Sequence, residues 1–376
     1  MKGQEIDTDI NSPIVLTGQL ALFNGPGQAF ELKEFNVRPL QPGELLVKNV
    51  YTTICGSDLH TFCGVRKEPC PTVLGHEIVG EVVALHPTHT GFDLRGKQLQ
   101  PGDRITWTVF SSNPQSINSL RGIPQKGDDL FKYGHVLVEE PEVFHGGLGT
   151  YCIIKANTGI IKIPENMPLS IAATLNCSVS TVAGALRMAG DIKDKHVLIT
   201  GMGHLGITCA AMCREAGAEW IGAADIAERR LEEALGFGAD EVFNMNGDNS
   251  KMLAALQERT NGKGIDVVFD MSGSPEAMEF GINSLGIGGC AVLIGAVFNT
   301  KPLLIDPERV IRNLLTIKGL HNYNFEDFKY AFDFMKRNWE KYPFGTVVEK
   351  EFSLEQVGEA FEYALAQKPL RVGIKL

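Results

Sequence analysis

The pattern of apolar and polar positions changes once along the chain, near residue 165. Up to that point, short apolar and β-branched runs alternate with turns rich in Gly, Pro and Asp, such as Pro101-Gly102-Asp103. The runs cover residues 45–50, 78–85 and 153–163. Runs of this kind are typical of antiparallel strands. They predict a mostly antiparallel, barrel-like β domain with long loops over residues 1–165.

Beyond residue 165 the pattern favours a different class of structure. A helix is predicted over residues 169–189, and strand-like and helical stretches then alternate at 196–200, 205–216, 219–224, 228–237, 265–270 and 291–294. Nearly continuous apolar strands that alternate with helices are typical of a parallel, doubly wound α/β sheet. The tail adds a predicted helix at 325–339 and a strand-like end at 371–376. Periodicity leaves open which part the tail joins.

The composition of the chain argues against several classes of partner and of protein. The chain has 376 residues, more than one core usually serves, which agrees with two domains. A formal net charge of −10 argues against nucleic acid or an anionic membrane surface as a partner. No stretch reaches the roughly 18 to 20 apolar residues of a membrane helix, and the polar start lacks a secretory leader. We therefore expect a cytoplasmic protein whose cysteines are ligands, reactive thiols or core residues.

A glycine fingerprint follows the predicted strand at 196–200. The segment Gly201-Met202-Gly203-His204-Leu205-Gly206 opens a helix, and a second predicted strand ends at Asp225. Gly201 permits a tight turn, Gly203 lets backbone N–H groups approach a pyrophosphate, and Gly206 lets the helix pack closely on the strand. Because the motif has this strand–turn–helix context, it predicts a dinucleotide site rather than a structural turn.

Asp225 bears on which dinucleotide is bound. A carboxylate at this strand end accepts hydrogen bonds from the ribose hydroxyls and repels a 2′-phosphate, which favours NAD. Arg229 and Arg230 follow closely and offer cations to a 2′-phosphate. The sequence thus predicts NAD, with NADP as the alternative.

Three separated segments carry metal-ligand chemistry. Cys55, His76 and Cys177 make the Cys₂His set of a catalytic zinc that keeps its fourth position open. Their spacing is too wide to identify a metal site by itself. Taken singly, each cysteine also fits a buried core thiol, and His76 fits an ordinary loop histidine.

Together with the glycine fingerprint, Cys55-Gly56-Ser57-Asp58-Leu59-His60 and Gly75-His76-Glu77 resemble the zinc alcohol dehydrogenase branch of the medium-chain dehydrogenase/reductase family. The resemblance covers nearly the whole chain. It implies a Rossmann cofactor domain at 166–319 and a GroES-like catalytic domain built from 1–165 and 320–376. It also implies one catalytic zinc on Cys55, His76 and Cys177, with Glu77 beside the metal.

The resemblance further implies roles around the metal and the cofactor. Asp58 would orient the ligating histidine, and Ser57 and His60 would form a proton relay. Arg371 would contact the pyrophosphate. The full cofactor-binding set so implied is Gly201, Gly203, His204, Leu205, Gly206, Asp225, Arg230, Thr181 and Arg371. The implied reaction is hydride transfer between NAD(H) and a small alcohol or aldehyde.

The family also implies an assembly and a competing class of function. Members form homodimers or homotetramers through their cofactor domains, here expected near residues 290–294. Some members of the wider superfamily lack zinc and serve as non-catalytic nucleotide-binding structural proteins. Because this chain keeps the whole ligand set and the relay pair, we favour an enzyme.

The chain departs from the family in the lobe at residues 111–131. Many zinc members hold a second, structural zinc there with four cysteines, and the matching positions are Asn113, Ser116, Ser119 and Gly127. None of these side chains is a thiolate. We therefore expect one zinc per subunit, with the lobe held by hydrogen bonds, held by a subunit contact, or left mobile.

Residues beside the ligand segments suggest a substrate class. Arg66 and Lys67 lie in the loop before Gly75-His76-Glu77, where a guanidinium would bind an anionic group. Thr108 and Val109 stand at pocket-lining positions of the family. Short segments of the sequence also resemble a subgroup of this family that is associated with phosphonate metabolism. These features predict an anionic alcohol or aldehyde such as 2-hydroxyethylphosphonate or phosphonoacetaldehyde. The alternatives are a solvated Arg-Lys pair and a polyol or other secondary-alcohol substrate.

Overall fold

The computed structural model describes residues 16–376, which form three β-sheets with helices around them. The smallest sheet is an antiparallel pair, β1 (Thr17–Leu22) and β2 (Glu31–Asn36). The first part of the chain and the tail build one of the other two sheets, and the segment between them builds the other. The fold class, an antiparallel β part with a parallel α/β part, is therefore confirmed.

The largest sheet has eight strands and is mostly antiparallel. Its main path runs β15-β16-β3-β4-β5-β6, while β7 pairs with β3 and β8 pairs with β5. Its strands are β3 (Leu45–Ile54), β4 (Glu77–Leu85), β5 (Arg104–Ser111), β6 (Phe131–Lys132), β7 (Tyr151–Ile154), β8 (Thr158–Lys162), β15 (Val348–Ser353) and β16 (Arg371–Lys375). Because β16 lies antiparallel to β3, the end of the chain returns to the sheet that the first part builds.

The second large sheet is parallel, with the order β11-β10-β9-β12-β13-β14. Its strands are β9 (His196–Thr200), β10 (Trp220–Asp225), β11 (Glu241–Asn244), β12 (Ile265–Asp270), β13 (Leu285–Leu293) and β14 (Thr316–Gly319). The direction of winding reverses between β9 and β12, which lie side by side. In such sheets, ligands bind beyond the carboxyl ends of the strands at this reversal.

Eleven α-helices connect and cover the sheets in the described part of the chain. They are α1 (Gly56–Phe62), α2 (Ile117–Leu120), α3 (Leu169–Ala172), α4 (Ser178–Ala189), α5 (His204–Glu215), α6 (Glu228–Gly236), α7 (Asn249–Arg259), α8 (Pro275–Ser284), α9 (Pro307–Arg312), α10 (Phe325–Asn338) and α11 (Val357–Gln367). Short 3₁₀ turns cover Pro124–Lys126, Ala173–Asn176, Phe344–Thr346 and Leu354–Gln356. The tail helix α10 packs against α4, so the tail contacts both parts of the molecule.

Two predicted elements are divided in the structure. The strand-like run at 153–163 is two strands, β7 and β8, because Asn157 adopts a left-handed conformation with φ of 63° between them. The helix predicted at 169–189 is broken at Cys177, whose φ of −131° and ψ of −85° are not helical. The segments before and after Cys177 are bent by 48°. Apolar periodicity runs through both breaks and cannot show them.

The strand at the edge of the parallel sheet is not the strand that we expected to pair subunits. Residues 290–294 were expected to pair subunits, but β13 lies between β12 and β14, so both of its sides are hydrogen-bonded within the chain. The outer strand on that side is β14. The expectation of pairing through β13 is therefore corrected, since an inner strand has no free backbone groups to offer a second copy.

Within residues 16–376, no single helix has both the length and the apolar character to cross a membrane. One bent pair, Leu169–Asn176 with Ser178–Ala189, meets the test by length and composition only.

Candidate active site

A deep cleft of about 500 Å³ lies between the antiparallel sheet and the carboxyl edge of the parallel sheet. The residues singled out from the sequence that line it are Cys55, Ser57, His60, Arg66, His76, Val109, Cys177, Thr181, Gly203, His204, Leu205, Arg230 and Arg371. The structure thus brings the ligand segments and the glycine fingerprint to one cavity. Asp58, Glu77, Thr108, Gly201, Gly206 and Asp225 are not among the lining residues.

The three metal-ligand candidates meet at the inner end of this cleft. Cys55 precedes the first turn of α1, His76 precedes β4, and Cys177 stands at the break between the 3₁₀ turn and α4. Their donor atoms all lie within 4.8 Å of one another. Two thiols and one imidazole at this separation fit the donor set and size of a zinc site with an open fourth position.

Asp58 holds two of these ligand segments together. Its Oδ1 lies 3.3 Å from His76 Nδ1, and its Oδ2 accepts the backbone N–H of Cys55 at 2.9 Å. Burial lowers the pKa of His76, but its contacts with Asp58 and Cys55 outweigh this effect and raise that pKa to about 10. The carboxylate lies on the Nδ1 side of the ring, which fits the orienting role that the resemblance implies for Asp58, and this role stays a prediction.

Glu77 and Arg371 form a buried ion pair behind the thiols. Arg371 donates to the Glu77 carboxylate through Nε at 2.7 Å and Nη2 at 2.8 Å, and its Nη2 lies 3.7 Å from Cys55 Sγ. A hydrogen bond with Cys177 lowers the pKa of Cys55 well below its usual value against the opposing effect of burial, and Arg371 lowers it further. Arg371 therefore stabilises a thiolate at Cys55, while its expected contact with a pyrophosphate stays a prediction.

The glycine fingerprint has the geometry of a dinucleotide cradle. Gly201 has a φ of +88°, and a Cβ there would lie 2.6 Å from the backbone of Ser272. A Cβ on Gly206 would lie 2.0 Å from the Gly201 carbonyl oxygen, so only glycine lets α5 begin so close to β9. A Cβ on Gly203, which precedes α5, would point into open space. The backbone and the free space fit a pyrophosphate at the start of this helix.

Asp225 ends β10 beside this cradle and is buried. Its carboxylate accepts the backbone N–H of Met202 at 2.6 Å and that of Ala227 at 2.9 Å. The carboxylate is thus fixed against the glycine loop. Arg230 lines the cleft and donates to the Lys368 carbonyl at 3.4 Å, whereas Arg229 is paired with Glu233 and Glu349.

His204 joins the cradle to the metal-ligand segments. Its Nδ1 lies 2.7 Å from the hydroxyl of Ser178, which follows Cys177. Burial, together with the nearby Arg371, lowers the pKa of His204 well below its usual value, so this imidazole is neutral. The hydroxyl of Thr181, one turn further along α4, donates to the Cys177 carbonyl at 2.8 Å.

The two residues expected to relay protons both face the cleft. Ser57 Oγ lies 3.4 Å from His76 Nε2. The ring of His60 lies edge-on against Phe298, with 4.5 Å between centroids. Burial lowers the pKa of His60, so the ring is a neutral acceptor near physiological pH.

The structure places some of the predicted substrate residues in the cleft wall and others outside it. Val109 lines the cleft, and Arg66 lines it with its guanidinium 2.6 Å from Glu68. The prediction that Thr108 lines the pocket is wrong. Thr108 is fully buried, and its hydroxyl donates to the Phe110 carbonyl at 2.6 Å. Because neighbouring residues of β5 face opposite sides of the sheet, Val109 and Thr108 cannot both face the cavity. Lys67 is exposed and outside the lining.

Sequence reasoning missed three basic residues that line the cleft, Lys132, His135 and His321. They come from β6, the following loop and the segment after β14, and no spacing in the sequence connects them. His135 lies against His76 with 5.0 Å between ring centroids. Only the folded chain places these side chains beside Arg66.

The lobe at 111–131 is ordered around a cluster of serine hydroxyls. Ser119 Oγ lies 2.9 Å from Ser112 Oγ and accepts from Ser116 Oγ at 2.9 Å. A Cβ at Gly127 would lie 2.0 Å from Ser112 Oγ, so the glycine leaves room for the cluster. Three of the four positions that matched the cysteines of zinc members, Ser116, Ser119 and Gly127, therefore surround a hydroxyl cluster.

Comparisons with known proteins identify the family. Residues 41–165 match the model of the alcohol dehydrogenase GroES-like domain, and residues 204–337 match that of the zinc-binding dehydrogenases. The chain is 32% identical over 282 residues to an L-threonine 3-dehydrogenase of Aeromonas salmonicida, covering 74% of this chain and 76% of that one. A protein of the same name from Pyrococcus horikoshii is 28% identical over 355 residues, covering 92% and 95%.

Solved structures agree on the fold. An alcohol dehydrogenase from Thermotoga maritima superposes with a TM-score of 0.90 at 24% identity, over 96% of this chain and 99% of that one. Benzyl alcohol dehydrogenase from Acinetobacter calcoaceticus gives 0.84 at 25% identity, over 96% and 100%. The sequence match, the shared fold and the Cys₂His cluster agree: this chain belongs to the zinc-dependent alcohol dehydrogenase branch of the medium-chain dehydrogenase/reductase family.

Proposed function

We propose that this oxidoreductase transfers a hydride between NAD(H) and a small alcohol or aldehyde that carries an anionic group, of the 2-hydroxyethylphosphonate or phosphonoacetaldehyde type. The observation that carries the proposal is that a single cavity is lined both by a set of zinc ligands and by basic side chains. Its inner end holds the zinc-ligand set of Cys55, His76 and Cys177, and basic side chains such as Arg66 line the same cavity. Oxidation removes a hydride from the carbinol carbon and releases the hydroxyl proton.

The residues of the cleft divide this work. Zinc held by the Cys₂His set would supply a Lewis acid that lowers the pKa of a hydroxyl bound beside it. Arg371 stabilises the Cys55 thiolate, and Asp58 fixes the His76 ring. His60 is a neutral imidazole at the cleft wall, where it is suited to accept the released proton.

NAD is the proposed cofactor because Asp225 is held by two backbone N–H groups at the end of β10. A carboxylate fixed there repels a 2′-phosphate. Wild-type enzyme should therefore show a higher kcat/KM with NAD than with NADP. Asp225→Ala should lower the ratio of the two kcat/KM values. A wild-type preference for NADP would contradict the assignment.

A second candidate is a secondary alcohol that carries a carboxylate. The curated relatives named above are L-threonine 3-dehydrogenases, and a basic cleft suits a carboxylate as well as a phosphonate. Assays with L-threonine, a neutral polyol, a small neutral alcohol and 2-hydroxyethylphosphonate would distinguish the candidates. A wild-type preference for either neutral compound would remove the anionic substrate and leave the family reaction.

Arg66 offers a test at one residue. Arg66→Ala should lower kcat/KM for the anionic substrate about ten- to a hundredfold and leave a neutral alcohol of similar size nearly unchanged. Arg121→Ala is the control, because Arg121 is an exposed guanidinium that does not line the cleft. Equal losses on both substrates would exclude anion binding at Arg66.

The same proposal includes an assembly, a compartment and a division into domains. Leu304, Ile311 and Leu314, in the segment before the outer strand β14, are 71–84% exposed, which supports a homodimer or homotetramer through this face. Sedimentation of Ile311→Asp should then show a smaller species. We place the enzyme in the cytoplasm, with a cofactor domain at 166–319 and a catalytic domain at 1–165 and 320–376.

A further inference from the structure

The cleft brings together more basic side chains than the sequence indicates. Arg66, Lys132 and His321 line it, and Lys126 stands behind His321. These residues come from the loop after α1, from the lobe, from β6 and from the segment after β14. Elements distant in sequence therefore converge on one region of the substrate cavity.

No Asp or Glu side chain of the described residues lines the cleft, and Glu68, which is outside the lining, is paired with Arg66. Glu68 Oε1 lies 2.6 Å from Arg66 Nη2 and 3.2 Å from His135 Nδ1, so this oxygen is already engaged by two neighbours. Lys132 makes no ion pair with any residue of the range 16–376. A half-buried ammonium without a partner is costly, and an anionic ligand in the cleft would remove that cost.

The neighbours of Lys132 confirm that its surroundings disfavour a lone cation. Burial, together with the nearby cations Arg66 and Lys126, lowers the pKa of Lys132 to about 8, although the smaller effects of Glu68 and Cys177 oppose this. The strand β6 pairs with β5, which fixes the backbone of Lys132 opposite Phe110. Lys132 and Val109 both line the same cavity.

The lobe contributes the second part of this arrangement. Lys126 Nζ lies 2.6 Å from His321 Nδ1, and Asn324 Nδ2 donates to the Gly122 carbonyl at 3.4 Å. Burial and the nearby cations lower the pKa of His321 to about 3, so its ring is neutral. Because Nδ1 accepts from the Lys126 ammonium, the ring proton is on Nε2, which makes His321 a hydrogen-bond donor at the cleft.

We propose that Lys132 binds the anionic group of the substrate and determines specificity for it, with Arg66 and the lobe-supported His321 as the flanking donors. The proposal rests on the proposed function and deepens it, because two cations and a neutral donor suit a doubly charged oxyanion better than a carboxylate. A phosphonate and a phosphate ester share this chemistry.

The experiment compares wild-type enzyme with Lys132→Met, Lys132→Arg and the control Arg121→Met. Met has nearly the length of Lys without its charge, Arg restores the charge, and Arg121 is an exposed cation of the same lobe outside the cleft lining. Substrates of similar size are 2-hydroxyethylphosphonate, 2-hydroxyethyl phosphate, 3-hydroxypropionate and 1-propanol. Binding of methylphosphonate to the zinc-loaded enzyme is measured separately by calorimetry.

We expect Lys132→Met to lower kcat/KM for the doubly charged substrates about ten- to a hundredfold, mainly through KM. It should affect the carboxylate less and 1-propanol little, and Lys132→Arg should recover part of the loss. The two doubly charged substrates distinguish a phosphonate from a phosphate ester. Equal losses on all four substrates, or no loss on the doubly charged ones, would overturn the proposal.

Calorimetry separates failure of this assignment from failure of the proposed function. If no anionic alcohol is turned over but methylphosphonate binds wild-type enzyme and not Lys132→Met, the anion site stands and the proposed substrate is wrong. If an anionic alcohol is turned over equally well by wild-type enzyme and Lys132→Met, the reaction stands and Lys132 is not its specificity residue.

Discussion

The carboxylate of Glu44 is buried in a network of charges far from the cleft. It accepts from Arg38 Nη1 at 2.7 Å, from the Gln41 N–H at 2.7 Å and from Lys155 Nζ at 3.1 Å. Burial alone would raise the pKa of Glu44, but these hydrogen bonds lower it to about 2. Since the pKa is depressed in the folded state, Glu44 stabilises the fold above the unfolded pKa of about 4.3, and this contribution is lost as the pH falls toward 2.

Glu44→Gln should therefore lower the free energy of unfolding by about 2–3 kcal/mol at pH 7. The difference from wild type should shrink as the pH falls from about 5 to 2, because the wild-type carboxylate becomes protonated. Urea unfolding across this pH range measures both effects. Glu308→Gln is the control, since its ion pair with Arg312 is exposed. A constant difference at all pH values would contradict the assignment.

His60 makes a second prediction at the residue scale. The ring lines the cleft, and its buried Nδ1 has no hydrogen-bond partner among the described residues. If it accepts the proton released during alcohol oxidation, His60→Ala should slow kcat near neutral pH more than at high pH, where hydroxide replaces it. A pH–rate profile of both enzymes measures this. A deficit that does not change with pH would exclude the relay.

At the scale of elements, the lobe shows how a segment can stay ordered through hydroxyls. The short helix α2 begins after Ser116, whose Oγ accepts the Ser119 N–H at 3.2 Å, and Asn118 Nδ2 donates to the Lys126 carbonyl at 2.6 Å. Ser112 and Ser116 are buried and share the Ser119 hydroxyl. Local hydrogen bonds, one of the expected alternatives, thus position Lys126 behind His321, which lines the cleft.

Ser119→Ala should loosen this lobe without unfolding the protein. The change leaves two buried hydroxyls without their common partner, at a local cost of about 1–3 kcal/mol. Amide hydrogen exchange of residues 111–131 should then accelerate by about five- to a hundredfold, while the parallel sheet is unchanged. Gln115→Ala, at an exposed position of the same lobe, is the control. Unchanged exchange in Ser119→Ala would show that other contacts order the lobe.

At the scale of the whole molecule, the cleft joins two sheets with different tasks. The metal-ligand side chains come from the antiparallel sheet and the broken helix, whereas the glycine cradle belongs to the parallel sheet. One group of His, Cys, Asp or Glu with metal-site spacing is present within residues 16–376. The two binding sites should therefore respond separately to metal removal.

Elemental analysis should find one zinc per chain, and a value near two would contradict this. A chelator should abolish alcohol oxidation and lower Tm, because metal bound only to the folded state stabilises that state. NADH binding, followed by fluorescence, should change little, since the cradle is formed by Gly201 and its neighbours on the other sheet. Cys177→Ser should reproduce the chelator result without added chelator.

The sequence by itself determined the elements whose cause is local. The strands at 196–200 and 265–270 have the predicted bounds, because continuous apolar runs record burial on both faces of a sheet. The glycine fingerprint was equally readable, since a positive φ at Gly201 and a close approach at Gly206 exclude other residues. The ligand set was found only by resemblance to a family, because Cys55 and Cys177 are far apart in the chain.

The tertiary structure decided what depends on distant contacts. It broke the helix at Cys177, turned Thr108 away from the cleft and placed Lys132 and His321 in it. It also returned β16 to the first sheet, a choice that periodicity had left open. Apolar periodicity reports which face of an element is buried, but not which other element covers it. The charge environment of the substrate therefore became visible only when loops from four parts of the chain met in space.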